Sequence, residues 1–392
     1  MSEELLIILA PFSQESRGRG ASFIINGSVQ TKKERRKGME LMKLKRALSM
    51  MLILILTLGT AACSNSNGVG GLTAVPTGGT EKSKNENLIE ARGEGYPLTI
   101  KDNTNYETVL DKKPEKAAVL SGTPLNIWYD LGGKSICTSE ISGNLKVVEA
   151  YKEEILKLPS IGPVYAIDLE MVVAQQPDLI IIQQGTQGGY AKKLREMGFK
   201  VIITSIKSYE DVLASYETFG KILNSETAAK QRIAELEEKR QELLAKLPDQ
   251  ETSVVILYIT SQALAVKLDN SIAGDIANML SLKNIAAGLP PDTIGSETTP
   301  LDIEYIVQQN PDYVLVTSMI ADNETARASM QEQFAASPAW KGVKAVAEGR
   351  IIYLPQEYFL YNAGPYYGEA IEYAARSIYP EVYGEVGDWY GK

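Results

Sequence analysis

At 392 residues, with 44% hydrophobic and 23% charged residues, the chain has the composition of a globular protein long enough for two domains. The net charge of −9 is unevenly spread: ten Lys/Arg against five Asp/Glu in residues 1–62 leave 30 basic and 44 acidic residues, about −14, from position 63 on. So acidic a body has no electrostatic case for nucleic acid. The absence of histidine removes the commonest zinc ligand and general base, and two cysteines, Cys63 and Cys137, are too few for a disulfide framework.

Residues 1–41 fit neither a signal peptide nor a domain, and Met42 makes a conventional start, so 1–41 is expected to be a non-native extension. Residues 42–62 carry Lys43, Lys45 and Arg46, then an apolar run from Ala47 to Leu58, then the small residues Gly59, Thr60, Ala61 and Ala62. This is the plan of a secretory signal peptide, with a core too short for a comfortable membrane span. An uncleaved anchor helix is the competing reading. The small residues run directly into Cys63, which resembles a bacterial lipobox with Thr60 in place of the usual Leu. That resemblance implies acylation of Cys63. Residues 63–95 are rich in Ser, Asn, Gly, Thr and Lys and are expected to form a flexible tether.

Beyond the tether, strand and helix patterns alternate. Ala117–Leu120 reads as a strand, followed by the loop Ser121–Pro124 and a helix to Leu131. Ser135–Ile136 reads as a strand, and Cys137 after it as a small buried hydrophobe. Lys200–Thr204 is a strand and Tyr209–Leu223 a helix. Ser253–Ile259, Ile272–Leu280 and Arg350–Leu354 read as strand, helix and strand, and Tyr367–Ile378 closes the chain as a helix.

The most informative feature is a repeat. Asp168-Leu-Glu-Met-Val-Val-Ala-Gln-Gln-Pro-Asp-Leu-Ile-Ile-Ile182 returns 134 residues later as Asp302-Ile-Glu-Tyr-Ile-Val-Gln-Gln-Asn-Pro-Asp-Tyr-Val-Leu-Val316. Six of fifteen positions are identical and five more exchange one aliphatic residue for another. Each copy predicts a short helix capped by Asp168 or Asp302, a break before Pro177 or Pro311, and a fully buried strand of a parallel sheet. Between the copies, residues 226–248 show apolar residues at helical spacing, enough for roughly 33 Å of helix. The predicted architecture is α/β, with two Rossmann-like lobes at 96–225 and 249–392 linked by that single long helix.

With these residues in order, the chain resembles the periplasmic-binding-protein group that serves importers of ferric siderophores, haem and cobalamin. The matching segments are Tyr96-Pro-Leu-Thr-Ile-Lys-Asp102, Lys113-Pro-Glu-Lys-Ala-Ala-Val-Leu120, Leu158-Pro-Ser-Ile-Gly162, both repeats, Trp340-Lys-Gly-Val-Lys-Ala-Val346 and Gly349-Arg-Ile-Ile-Tyr-Leu-Pro355. The resemblance implies a class III solute-binding protein: a monomeric lipoprotein at the outer face of the cytoplasmic membrane, working with an ABC permease and its ATPase. It also implies that Glu170 and Glu304 dock onto permease arginines. Both stand at the second position of a predicted helix, where the helix dipole by itself favours a carboxylate. No intrinsic cofactor is expected, and the iron chelate, haem or corrinoid is cargo.

Ligands in α/β folds collect at the carboxyl ends of the strands. That nominates Ser121, Thr123 and Trp128, the turn at Tyr165, and Gln184 to Tyr190 in the first lobe. In the second it nominates Tyr258, Lys267, Tyr358 and Tyr361, with Tyr366 and Tyr367 as further rings for stacking or phenolate donation. Lys267, Arg327 and Lys207 are the candidates for an anionic group, and the scarcity of arginine in these loops shifts weight toward a neutral or cationic chelate, haem or a corrinoid. The metal-coordinating residue is unknown, with Tyr or Met available and His absent. A zinc- or manganese-capturing lipoprotein is disfavoured by the missing histidines. An enzyme lacks any G-x-G-x-x-G, P-loop or nucleophile elbow. A non-transport surface lipoprotein stays open as the other alternative.

Overall fold

The computed structural model describes residues 87–387 except 142, 144, 321 and 361–363. The signal segment, Cys63 and Tyr361 lie outside the described residues. Strands β1 (Glu90–Arg92), β2 (Leu98–Lys101) and β3 (Glu107–Leu110) form an antiparallel meander. β1 lies inside the stretch expected to be tether, with Ile89 and Ala91 buried against the core. Two apolar residues are too few to stand out in so polar a segment.

Asp102 fastens the meander to the rest. Its side chain is fully buried and accepts from the backbone of Thr104, Tyr106 and Ile203 and from Arg195 Nη2 at 2.7 Å. The Arg195 guanidinium also stacks 3.6 Å from the Tyr106 ring centroid.

β4 (Ala117–Val119), β5 (Leu179–Gln183) and β6 (Val201–Thr204) form a parallel sheet in that order. Both faces are covered, so β5 carries the unbroken run LIIIQ instead of an alternating pattern. Helices α1 (Gly122–Asp130), α2 (Leu169–Ala174) and α3 (Tyr209–Leu223) accompany it, and the helix Ala191–Glu196 packs on it through Ala191 and Leu194. The expected strand at Ser135–Ile136 is irregular: the Ser135 hydroxyl accepts from Val119 N and donates to Cys137 O, occupying the ladder positions with a side chain. Cys137 is buried, as expected.

Helix α4 (Glu226–Leu244) then carries the chain across. Its 19 residues give about 29 Å. The second sheet has the order β10-β8-β7-β11-β12 and comprises β7 (Thr252–Thr260), β8 (Leu264–Lys267), β9 (Leu282–Asn284), β10 (Thr298–Pro300), β11 (Tyr313–Met319) and β12 (Ile351–Tyr353). β11 lies parallel to β7 along its whole length, while the other edge of β7 is shared by β9 below and the antiparallel β8 above. The region from Tyr258 to Lys267, expected as a loop, is therefore a hairpin. Helices α5 (Ile272–Met279), α6 (Ile303–Gln309), α7 (Asn323–Ala336) and α8 (Tyr367–Ile378) complete this lobe.

The structure explains which residues the repeat keeps. Asp168 and Asp302 cap α2 and α6. Gln176 and Asn310 both take left-handed backbone, at φ 52 and 46, and end their helices before the prolines. Asp178 then accepts from Glu115 N and Lys116 N, and Asp312 from Ser253 N, so each clamps the start of the neighbouring strand.

One hydrophobic cluster runs through the molecule. It takes Val119, Ile181 and Ile202 from the first sheet, Val254, Ile256 and Leu315 from the second, and α3, α4, α5 and α8 between them. The outer faces of the two sheets have separate clusters. At the junction Asp275, on α5, accepts from Tyr209 N at the start of α3 and from the Tyr367 hydroxyl at the start of α8. Burial pushes the Asp275 carboxyl above its ordinary range, against the pull of the Tyr367 and Tyr209 hydrogen bonds.

Replacing Asp102 by Ala leaves the half-buried Arg195 without its counter-charge and orphans three backbone donors. Urea denaturation is expected to show a loss of about 3–5 kcal/mol, with a smaller loss in Asp102→Ala combined with Arg195→Met.

Candidate functional site

In a parallel sheet every strand presents its carboxyl end on one edge, and here the edges belong to different lobes. On the first lobe that edge carries Ser121 after β4, Gln183 at the end of β5 and Ser205–Lys207 after β6. The edge is pinned by its own polar groups. Ser121 Oγ donates to Gln183 Oε1 at 2.6 Å, and Gln187 Nε2 donates to Leu120 O at 2.6 Å. Ser121 and Thr123 are accordingly buried, whereas Gln184 and Tyr165 are exposed and Tyr190 is half-buried. The loop expected at Gln184 to Tyr190 is a short helix, Gln184–Gln187, followed by a 3-10 turn.

On the second lobe, Tyr258 and Met319 stand side by side near the ends of β7 and β11, with the Tyr258 hydroxyl 3.2 Å from Met319 Sδ. Lys267 Nζ lies 4.4 Å from the Tyr258 ring centroid. Gln356 donates to Ser318 Oγ and to Ile320 O, fixing the segment that carries Tyr358 to the end of β11. Arg327 lies over the Tyr353 ring at 4.4 Å.

Side chains from the two lobes meet across the gap. Lys146 Nζ donates to the Tyr358 hydroxyl at 2.9 Å and lies 4.4 Å from the Tyr366 ring centroid. Tyr366 donates in turn to Val147 O at 3.0 Å. Burial, with Glu369 and Asp130 nearby, pushes the Tyr366 phenol up to about 12, so it stays protonated at neutral pH. Farther along, Lys207 of the first lobe and Lys267 of the second take different oxygens of Glu297, at 2.8 and 3.0 Å. Burial raises the Glu297 carboxyl, but Lys267 and Lys207 outweigh it and hold it below the usual carboxylate range. A cavity of about 370 Å³ beside Tyr366 is lined by Asp130, Tyr216, Glu369 and, from α4, Arg232 and Lys239. Among the described residues no group of three or more Cys, Asp or Glu is placed to hold a metal ion.

Two expectations are corrected. Trp128 does not face the gap: it is 1% exposed, packs edge-on against Phe219 with ring centroids 5.5 Å apart, and donates to Lys134 O. It falls on the inward side of α1, a side the loop reading did not resolve. Tyr367 is fully buried and serves Asp275, so it offers no ring to a ligand. Glu170 and Glu304 are exposed at the second positions of α2 and α6. Lys146 and Glu297 were not anticipated. Both sit in segments without periodicity, and only their partners, 212 and 30 residues away, give them a role.

A family model described as periplasmic binding protein matches residues 118–358. The chain is 24% identical over 315 residues to YvrC of Bacillus subtilis, an uncharacterized ABC transporter substrate-binding lipoprotein, covering 78% of this chain and 93% of YvrC. It is 22% identical over 304 residues to the Fe(3+)-citrate-binding protein YfmC of the same organism, covering 77% and 87%. Among solved structures, S. aureus IsdE complexed with heme superposes with a TM-score of 0.58 at 18% identity, covering 67% of this chain and 98% of that one.

Truncating Trp128 to Ala is expected to cost about 3–5 kcal/mol in denaturant unfolding, whereas Trp128→Phe, which keeps most of the packing, should leave the surfaces of the gap unchanged by ligand titration. Because the folded-state pKa of Glu297 is depressed, its contribution to stability is present above its unfolded value and is lost as pH falls through the folded one. Melting curves of the wild type and Glu297→Gln should therefore converge below the ordinary carboxylate range and separate above it.

Proposed function

Because the chain belongs to the periplasmic binding protein family, we propose that it is the substrate-binding lipoprotein of an ABC importer, holding an iron chelate, haem or a corrinoid between its lobes. It performs no chemistry on that cargo: the family binds solutes and is not a family of enzymes. The observation that carries the reading is the set of contacts that Lys146 of one lobe makes with Tyr358 and Tyr366 of the other. Aromatic and basic side chains converging from both sides suit a planar or bulky chelate better than a small sugar or a bare ion. The names of YfmC and IsdE, an Fe(3+)-citrate-binding protein and a structure complexed with heme, support the same class of cargo.

Acylated Cys63 holds the chain at the outer face of the cytoplasmic membrane, as the lipoprotein relative suggests. Glu170 and Glu304, each exposed at the start of an equivalent helix, seat the loaded protein on the permease. The protein works as a monomer, and the permease's ATPase drives release.

A thermal-shift screen against ferric siderophores, haem, cobalamin and bare metal ions tests the cargo. Ligand at 100 times its dissociation constant adds about 2.7 kcal/mol, several degrees in Tm. Stabilisation by one chelate class supports the carrier reading, and silence across the panel from folded protein overturns it. Replacing Glu170 and Glu304 together by Ala should abolish uptake with affinity intact, and a matching loss of affinity would refute the docking role.

A further inference from the structure

We propose that each docking glutamate is paired with an apolar anchor, and that the two anchors are of opposite kind. Met171 and Tyr165 beside Glu170 enter the permease, whereas a cavity beside Glu304 receives an apolar side chain from it. This rests on Glu170 and Glu304 being the permease contacts.

The repeat sets the two places side by side. Met171 and Tyr305 each stand three residues after the capping aspartate, and Val172 and Ile306, which follow them, are both buried. Tyr305 turns inward, and its hydroxyl donates to Ile285 O at 2.7 Å. Met171 stays at the surface, 43% exposed. Tyr165, 65% exposed, stands three residues before Asp168. Its turn is held by Ala166 N donating to Pro163 O at 2.9 Å and by Asp168 N donating to Ile161 O at 2.8 Å. Two large apolar side chains are thus displayed on fixed backbone, one on each side of the exposed Glu170 in sequence, and such display marks an interaction surface.

On the second lobe, the inward Tyr305 borders a cavity of about 230 Å³. Buried Val266, Ala286 and Ile306 line it, with Leu289 and Pro300 nearer the surface. Asp302 lines it too, so the cavity lies beside the turn that carries Glu304. Its polar neighbours are already engaged: Asp302 accepts from Tyr305 N, and the Tyr305 hydroxyl serves Ile285 O. The volume falls below the roughly 300–1,000 Å³ of small-molecule pockets, and an aliphatic or aromatic side chain fits it in size and chemistry. The occupant comes from the permease, because a partner whose arginine takes Glu304 is brought against the cavity. Charge steers that approach and apolar burial holds it. The carboxylates are alike on the two lobes, and knob and hole make the two contacts unlike.

The test measures binding of the full chain to its permease–ATPase complex in nanodiscs by surface plasmon resonance, at low and at high salt. Ala286→Leu fills the cavity, and Tyr165→Ser with Met171→Gln removes the knob. Circular dichroism establishes that each variant is folded, and Leu289→Gln, nearer the surface, gives the same reading where Ala286→Leu does not fold. Each change is expected to weaken the complex at least about tenfold, the effect of losing one buried apolar side chain. Each should also remove affinity that survives high salt, where charge contacts are screened. The Ala286→Leu effect should be non-additive with Glu304→Ala and additive with Glu170→Ala, since only the first pair shares a contact. Wild-type affinity in either folded variant, or full additivity of Ala286→Leu with Glu304→Ala, overturns the proposal. The docking reading is judged separately: wild-type affinity in the chain carrying both Glu170→Ala and Glu304→Ala overturns that reading.

Discussion

The relation between the lobes depends on a hydrophobic core that does not stop at the lobe boundary. Aliphatic side chains of both sheets meet the same set of helices, and α3, α4, α5 and α8 are shared supports. Apolar area is favourable to bury at about 25 cal/mol per Å², so opening the lobes wide would expose surface that both of them need. Asp275 adds a directional restraint, since Tyr209 N and the Tyr367 hydroxyl converge on one of its oxygens from different helices. The lobes thus meet at a packed joint.

Above the joint, the gap is closed by polar side chains with modest partners. A cation held between two phenol rings and an ion triad with partial exposure each contribute little compared with the core below them. Contacts this weak can be exchanged at small cost, which a substrate-binding protein requires. The buried side chains along the strand ends, Ser121, Gln187 and Gln356, play the opposite part: their hydrogen bonds fix the rims on which the exchangeable groups stand.

Much of the architecture was legible because it was written in periodic or repeated patterns. The aliphatic runs of β5 and β11, the helices Tyr209–Leu223 and Tyr367–Ile378, and the two Asp-capped helices of the repeat sit where the patterns place them. The meander, β8 to β10 and α7 were missed. Their strands are only three or four residues long, and α7 is polar with two buried residues, Ala326 and Met330. The site was less legible than the fold. Tyr258 and Lys267, expected in a loop, lie within the strands of a hairpin, and Trp128 was misplaced because its side of a short helix decides its fate. Glu297 left no trace, since an ion pair across a fold has no signature in a linear sequence.

The packed joint has a consequence for recognition. A partner that must tell a loaded chain from an empty one receives little news from the distance between the lobes, because that distance is set by the core. The information lies in the rim: which hydroxyls and ammonium groups are still engaged with each other, and which have turned to the guest. On the proposed reading, discrimination between the two states rests on the side-chain contacts around the buried Tyr358 and around Glu297, and not on the shape of the whole molecule.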